Sequence, residues 1–479
     1  MLYELLSEYH KNGAVPLHMP GHKRNTKLLG DKLPYSLDIT EITGFDNLQD
    51  MTGVLKDTAD TAAALYGTDE ALLLVNGATG GILAAVRAAV RAGDTVIMAR
   101  NCHQSVYNAL DLNDISPVFL LPETDGATGL FGSIRPEQVE KALQQNPSAS
   151  LVIVTSPTYE GVVSDLPAIV ETAHRHFVPV LVDAAHGAHL GFHEAFPDNA
   201  VAAGADLVVM SLHKTLPALT QCALLCRTGT RVDTQRLRRA LAVFQTSSPS
   251  YVLLSSIDFS IRETAAQRQA LFEAYAANLR AFDAAVKDLK KLAVVCHGRD
   301  ALSAHPAFFA FDPGKIVVST RETALTGPAL FAILRDKYRI ELEMAYPGGV
   351  LAMTSVCDSH ETFETFARAL LEIDGELKTE QAPIADIAAF TLPERVLSTR
   401  EAEDKTGANI PLEAAAGTVC LEYVWAYPPG VPILAPGEKI RIDAVRRLQY
   451  LLKSGVSIKS TRGGAPERLC CLEIPSTCL

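Results

Sequence analysis

Short, uninterrupted apolar runs recur along the first half of the chain, each followed by a polar loop and then by helical spacing. ALLLV at 71–75, TVIMA at 95–99, LVIVT at 151–155, VPVLVD at 178–183 and DLVVMS at 206–211 have the length of strands and no polar alternation. Between the first two, NGATGG leads into ILAAVRAAVRAG, where Ile82, Val86 and Val90 recur at helical intervals. Continuous apolar strands alternating with amphipathic helices predict an α/β fold with a mainly parallel sheet covered on both faces.

The pattern changes at both ends of this region. Residues 1–45 read as an arm: a short helical pattern (Leu2, Leu5, Leu6) runs into PLHMPGHKRN, which is basic, rich in Pro and Gly, and without apolar period. Such a segment has no core of its own, so His18 to Arg24 is expected to pack on a neighbouring subunit. From Arg262 to about Leu292 good helix formers continue without Gly or Pro, predicting one long helix. A boundary near 290 follows, giving a large domain over 46–290 and a smaller α+β region over 291–479. In the latter, ALSAHPAFFAFDP, KIVVST and GGVLAMTSV read as strands and GPALFAILRDKY as a helix. Polar stretches at 376–381 and 401–406 set off 407–479 as a candidate terminal unit.

Composition narrows the class. With 479 residues, 48% of them hydrophobic, the chain can bury a substantial core, which excludes disorder as its main state. No run approaches the roughly 20 apolar residues of a spanning helix, and MLYELLSEYHKNG has no signal-peptide character. A net charge of -12 argues against a general nucleic-acid binder. Nine irregularly spaced cysteines, with no CxxC pair, suit reduced thiols in a cytoplasmic protein.

The chemistry-bearing residues gather at strand ends, where parallel α/β sheets bind ligands. NGATGG follows the first run, His103 the second, Thr158 and Tyr159 the third, Asp183 ends the fourth, and Ser211, His213 and Lys214 follow the fifth. A Gly-rich strand-to-helix turn can cradle phosphate on free N–H groups, or be no more than a tight turn. Asp183 could face a protonated pyridine nitrogen, cap a helix, or join His186, His189 and His193 around a metal. Lys214 follows an apolar run in SLHKTLP, a poorly solvated place for a cation, where a lysine can form a Schiff base with a cofactor aldehyde. A phosphate cup, a stacking imidazole, an acid and an imine-forming lysine together point to pyridoxal 5'-phosphate.

With LHMPGHKRN, DITEITGFDNL, NGATGG, RNCHQS, TSPTYEGVVSD, VDAAHGAH, SLHKTL, PLEAAAG and YPPGVPILAPGE, the chain resembles the ornithine/lysine/arginine decarboxylase family in its short bacterial form. The resemblance implies a fold-type I, aspartate-aminotransferase-like large domain with a seven-stranded sheet, and a smaller α+β carboxy-terminal part. It makes Lys214 the lysine that links the cofactor, stacks His103 on one ring face with Ala185 on the other, sets Asp183 on the ring nitrogen, and brings His186 near the phenolic oxygen. Ala78, Thr79, Ser211 and His213 would form the phosphate cup, and His213 or Lys214 would protonate the α-carbon. Glu438 would meet the distal cation of the substrate. The implied activity is decarboxylation of a basic amino acid, arginine before lysine or ornithine, in polyamine metabolism, by a homodimer or a dimer of dimers with the active site at the subunit interface. Nothing here points to a membrane, nucleic-acid or metal partner. Rival readings are another pyridoxal-phosphate reaction, such as transamination, for which Arg335 and Arg339 are the carboxylate-binding arginines to consider, and an inactive cofactor-binding regulator. Trp425, the single tryptophan, would sit beside the substrate entrance.

Overall fold

The computed structural model describes residues 1–12, 15–378, 391–426, 430–464 and 467–472. The predicted apolar runs form one seven-stranded sheet in the order Glu70–Leu74, Ala223–Arg227, Leu207–Ser211, Val180–Asp183, Ala149–Thr155, Thr95–Ala99 and Ser116–Leu120. Every neighbouring pair is parallel except the two made by Ala223–Arg227. Apart from the edge strand Ser116–Leu120, its strands are buried almost throughout, because helices cover both faces and leave no side to alternate toward water.

The helix Gly77–Ala89 explains NGATGG in detail. Gly77 has φ +69°, a backbone that side chains rarely adopt, and its N–H donates to the Gln221 carbonyl at 3.1 Å. Gly81 serves packing instead: a Cβ there would lie 2.5 Å from Leu74 Cδ1 and 3.1 Å from Val209 Cγ1. The helix therefore rests directly on the sheet, and its first turn is held at the strand ends.

The long helix spans Tyr251–Val286, beginning and ending earlier than the apolar pattern suggests. Ser250 caps it through the Leu253 N–H. Past its end, Asp374 collects the N–H groups of Lys290, Lys291 and Leu292 at 2.7–2.9 Å, turning the chain into the next sheet. The amino-terminal helix Leu2–Lys11 packs on this long helix through Leu2 and Leu6, and its Leu2 N–H donates to Asp258 at 2.7 Å. Leu5, expected on the same face, is exposed. Farther along the arm, Arg24 is buried over the Tyr9 ring of its own chain, 4.1 Å from its centroid, while Leu17 and Met19 project outward.

The following sheet is four-stranded and antiparallel, ordered Met344–Tyr346, Gly349–Met353, Lys315–Ser319 and Ala293–Val294, with helices Gly327–Tyr338 and His360–Glu376 beside it. ALSAHPAFFAFDP departs from expectation. Only Ala310–Phe311 pairs, with Val162–Val163, because His305 is fixed between Asp125 and Asp300 and bends the backbone. Beyond residue 391, two three-stranded sheets and the helix Ile442–Lys453 close a separate apolar cluster around Val424, Leu434, Val445 and Leu448. Residues 379–381 of the polar stretch and 427–429 of the YPPGVPILAPGE segment lie outside the described residues. Among the described residues, no helix is long and apolar enough to cross a membrane.

Candidate active site

A cavity of about 920 Å³ opens at the carboxyl ends of the parallel strands. Ala78, Thr79, His103, Asp183, Ala185, His186, Ser211, His213 and Lys214 all line it. Residues more than a hundred positions apart meet because each ends a strand of one sheet.

Asp183 ends Val180–Asp183 and is 3% exposed. One oxygen accepts the Ala185 N–H at 3.1 Å, and no described side chain forms an ion pair with it. Burial pushes its carboxyl up, against the pull of His103 and Lys214. A desolvated carboxylate without a cation suits a ligand that brings its own positive N–H. Asp183→Asn should lower turnover about 10²–10³-fold, the scale of losing one preorganised charged partner. Steady-state kinetics at saturating cofactor measures it, and near wild-type turnover would rule out the charge role.

His103 and His213 are each fixed through one nitrogen. His103 caps Gln104–Asn113: its Nδ1 accepts the Ser105 N–H at 3.2 Å, so the neutral ring carries its proton on Nε2. His213 Nδ1 donates to the Cys222 carbonyl at 3.1 Å, leaving Nε2 to accept. Burial holds both rings below the usual imidazole range, with Lys214 adding to the effect and Asp183 opposing it at His103. His186 packs against the Tyr159 ring at 4.5 Å, and burial followed by Lys214 and Lys315 keeps it neutral. Lys214 Nζ lies 2.9 Å from His186 Nε2, and burial lowers its ammonium against Asp183 and Glu343.

The residues present fit pyridoxal 5'-phosphate. The Gly77–Ala89 N-terminus and Ser211 offer donors to a phosphate, joined by His213 Nε2 when that ring is protonated, while Asp183 offers an acid to a ring nitrogen and Lys214 an amine to an aldehyde. His189 and His193 do not join them: they turn to Asp312 and Glu273, each at 3.1 Å. Among the described residues, no three His, Cys, Asp or Glu side chains are placed to share a metal.

Glu438 requires a correction. It is 2% exposed and does not line the cavity. Its carboxylate pairs with buried Arg100 at 3.2 Å and accepts the Ala435 N–H at 2.8 Å. Arg100 also donates to the carbonyls of Pro432 and Ile433 at 2.7 and 3.2 Å. The pair thus clamps the carboxy-terminal segment, whose Val431, Pro432 and Ile433 form one cavity wall, onto the end of Thr95–Ala99. Trp425 is half-buried one residue before Ala426, which also lines the wall.

Several cavity residues are not singled out by the sequence pattern. Glu160, Arg321 and Arg447 line it, and burial pushes the Glu160 carboxyl up. Arg335 and Arg339 do not reach it; Arg335 pairs with its neighbour Asp336. The sequence signal for Arg100 was its place directly after TVIMA, a strand end like the others.

Comparison with known proteins agrees with this geometry. Residues 1–323 match the model of the Orn/Lys/Arg decarboxylase major domain, and residues 386–463 that of its C-terminal domain. An arginine decarboxylase of Bacillus subtilis (strain 168) is 33% identical, covering 96% of this chain and 94% of its own length. One from Bacillus anthracis is 31% identical over 96% of this chain and 94% of its own. Among solved structures, the Francisella novicida lysine decarboxylase superposes with a TM-score of 0.82 at 19% identity, covering 98% of this chain and 81% of that one. The fold is that of fold-type I pyridoxal-phosphate enzymes. With both of its domain models matched in order along the sequence, the chain belongs to the Orn/Lys/Arg decarboxylase family.

Proposed function

We propose that the protein decarboxylates a basic amino acid with pyridoxal 5'-phosphate, and that arginine is its preferred substrate. The observation that carries this reading is the meeting of Lys214 and an unpaired, buried Asp183 in one strand-end cavity of a family member. When bound, the cofactor supplies an electron-withdrawing ring that accepts the electrons of the bond to the departing carboxylate.

The chain's own residues do the rest. Asp183 keeps the ring nitrogen protonated, His103 and Ala185 hold the ring between them, and Ala78, Thr79 and Ser211 fix the phosphate, with His213 adding Nε2–H when its ring is protonated. Lys214 or His213 delivers the proton to the α-carbon. Ile82, Leu130, Phe131 and Val431 give the cavity apolar wall, which excludes water from the departing carboxylate. With Glu438 committed to Arg100, we assign the substrate's distal cation to Glu160, an acid that lines the same cavity. The preference for arginine is supported by relatives of that name matched over nearly their full length. A homodimer is part of the proposal, supported by the outward Leu17 and Met19 on the arm.

The test is release of carbon dioxide and amine from arginine, lysine and ornithine without a keto-acid acceptor. Arginine should give agmatine with the highest kcat/KM. Turnover that depends on a keto acid would favour transamination, for which Arg321 and Arg447 are the cavity arginines from beyond residue 290. Glu160→Gln should raise KM for arginine about 10- to 100-fold, the scale of a charged hydrogen bond. An unchanged KM would remove Glu160 from the substrate's distal end.

A further inference from the structure

Behind His186 lies a second lysine that the activity above does not use. Lys315 begins the strand Lys315–Ser319 in the smaller domain and is 1% exposed. Its stem is wedged against Gly161, where a Cβ would come within 2.7 Å of Lys315 Cβ. Its Nζ lies 3.3 Å from His186 Nδ1, while His186 Nε2 lies 2.9 Å from Lys214 Nζ. One imidazole thus joins a half-buried amine and a fully buried one that stand at strand ends of different sheets.

Proton counting restricts this arrangement. A neutral imidazole has one N–H and one lone pair, whereas an ammonium can only donate. If both lysines were charged, one would press its N–H against the ring N–H. A doubly protonated ring beside two ammoniums would bury three charges. The geometry is satisfied when one amine is charged and donates to the ring, and the other is neutral and accepts from it.

We propose that Lys315 is a positioning residue that shares one ammonium charge with Lys214 through His186, so that Lys214 can become a neutral amine without releasing its proton to solvent. Lys214 gives a proton to Nε2, Nδ1–H passes its proton to Lys315, and the total charge is unchanged. Burial brings Lys315 down to about 8, within reach of such an exchange, with Asp312 opposing the shift. Other charged or titratable groups face the triad: Asp183, His103 and His213 from the large-domain strand ends, Glu343 from the smaller domain, and Asp312 with its partner His189. Asp312 keeps His189 whatever stands at 315, so changing Lys315 does not strand an acid.

The proposal rests on Lys214 being the lysine that captures the cofactor aldehyde. Full-length protein stripped of cofactor is mixed with pyridoxal 5'-phosphate, and the rate of borohydride-trapped adduct at Lys214 is followed against pH. Lys315→Met should raise the midpoint of this profile by about one unit, slowing capture about tenfold at pH 7. Lys315→Arg, permanently charged, should move the midpoint down. In a His186→Phe background the Arg substitution should lose its effect, because the ring carries the coupling. Midpoints that stay put, or that move the same way in both variants, overturn the proposal and leave Lys315 a packing residue. The Arg comparison stands alone if the Met variant does not fold. Absence of any adduct at Lys214 in the unmodified protein would overturn the lysine assignment itself, a separate outcome.

Discussion

Lys214→Ala should leave no borohydride-reducible cofactor linkage and cut amine formation by at least about 10³-fold, because imine formation and proton delivery depend on the same Nζ. The fold should survive. The Lys214 ammonium is lowered by burial, so removing it relieves a desolvated charge, and His186 keeps Lys315 on its other nitrogen. Mass spectrometry of the reduced peptide, an agmatine assay and circular dichroism check the three parts. An adduct persisting in the variant would refute the assignment, and Lys315, which shares the same imidazole, would be the residue to examine.

The second large effect concerns stability. Glu438→Ala should destabilise the protein by about 3–5 kcal/mol, the cost of leaving a buried charge without its partner. Arg100 would keep two carbonyl acceptors and the Tyr107 hydroxyl but lose the Glu438 carboxylate. Urea unfolding followed by far-UV signal measures the loss. Replacing both residues with Met should recover much of it, since two apolar side chains leave no unpaired ion. A substrate-binding Glu438 predicts the opposite signature: a raised KM with the unfolding midpoint unchanged.

The contrast between Lys214 and Glu438 shows what the linear sequence carries. Strands buried on both faces read as continuous apolar runs, and the polar residues at or shortly after each run's end land on one rim, so Asp183, His103, Ser211 and Lys214 were legible together. Glu438 was not. Its partner Arg100 is 338 positions away, and no local pattern reveals which cation an acid will meet. Lys315 looked like the ordinary charged start of a strand, because burial by Gly161 and His186 comes from residues more than a hundred positions away. The long helix was recognisable by composition, but its end is set by Asp374, whose capture of three N–H groups leaves no periodic trace. ALSAHPAFFAFDP was misread as a strand because apolar content alone does not show that His305 is tethered at both nitrogens.

The Arg100 clamp also sets a schedule for biosynthesis. Its carbonyl acceptor at Pro432 is 332 residues downstream. At roughly 5–20 residues per second, the ribosome needs on the order of half a minute to reach it after making Arg100. Throughout that interval the sheet can form, yet the cavity lacks a wall and Arg100 lacks its counter-ion. The nascent large domain should therefore stay open at the strand ends, and closure around the chemistry becomes one of the last events of folding.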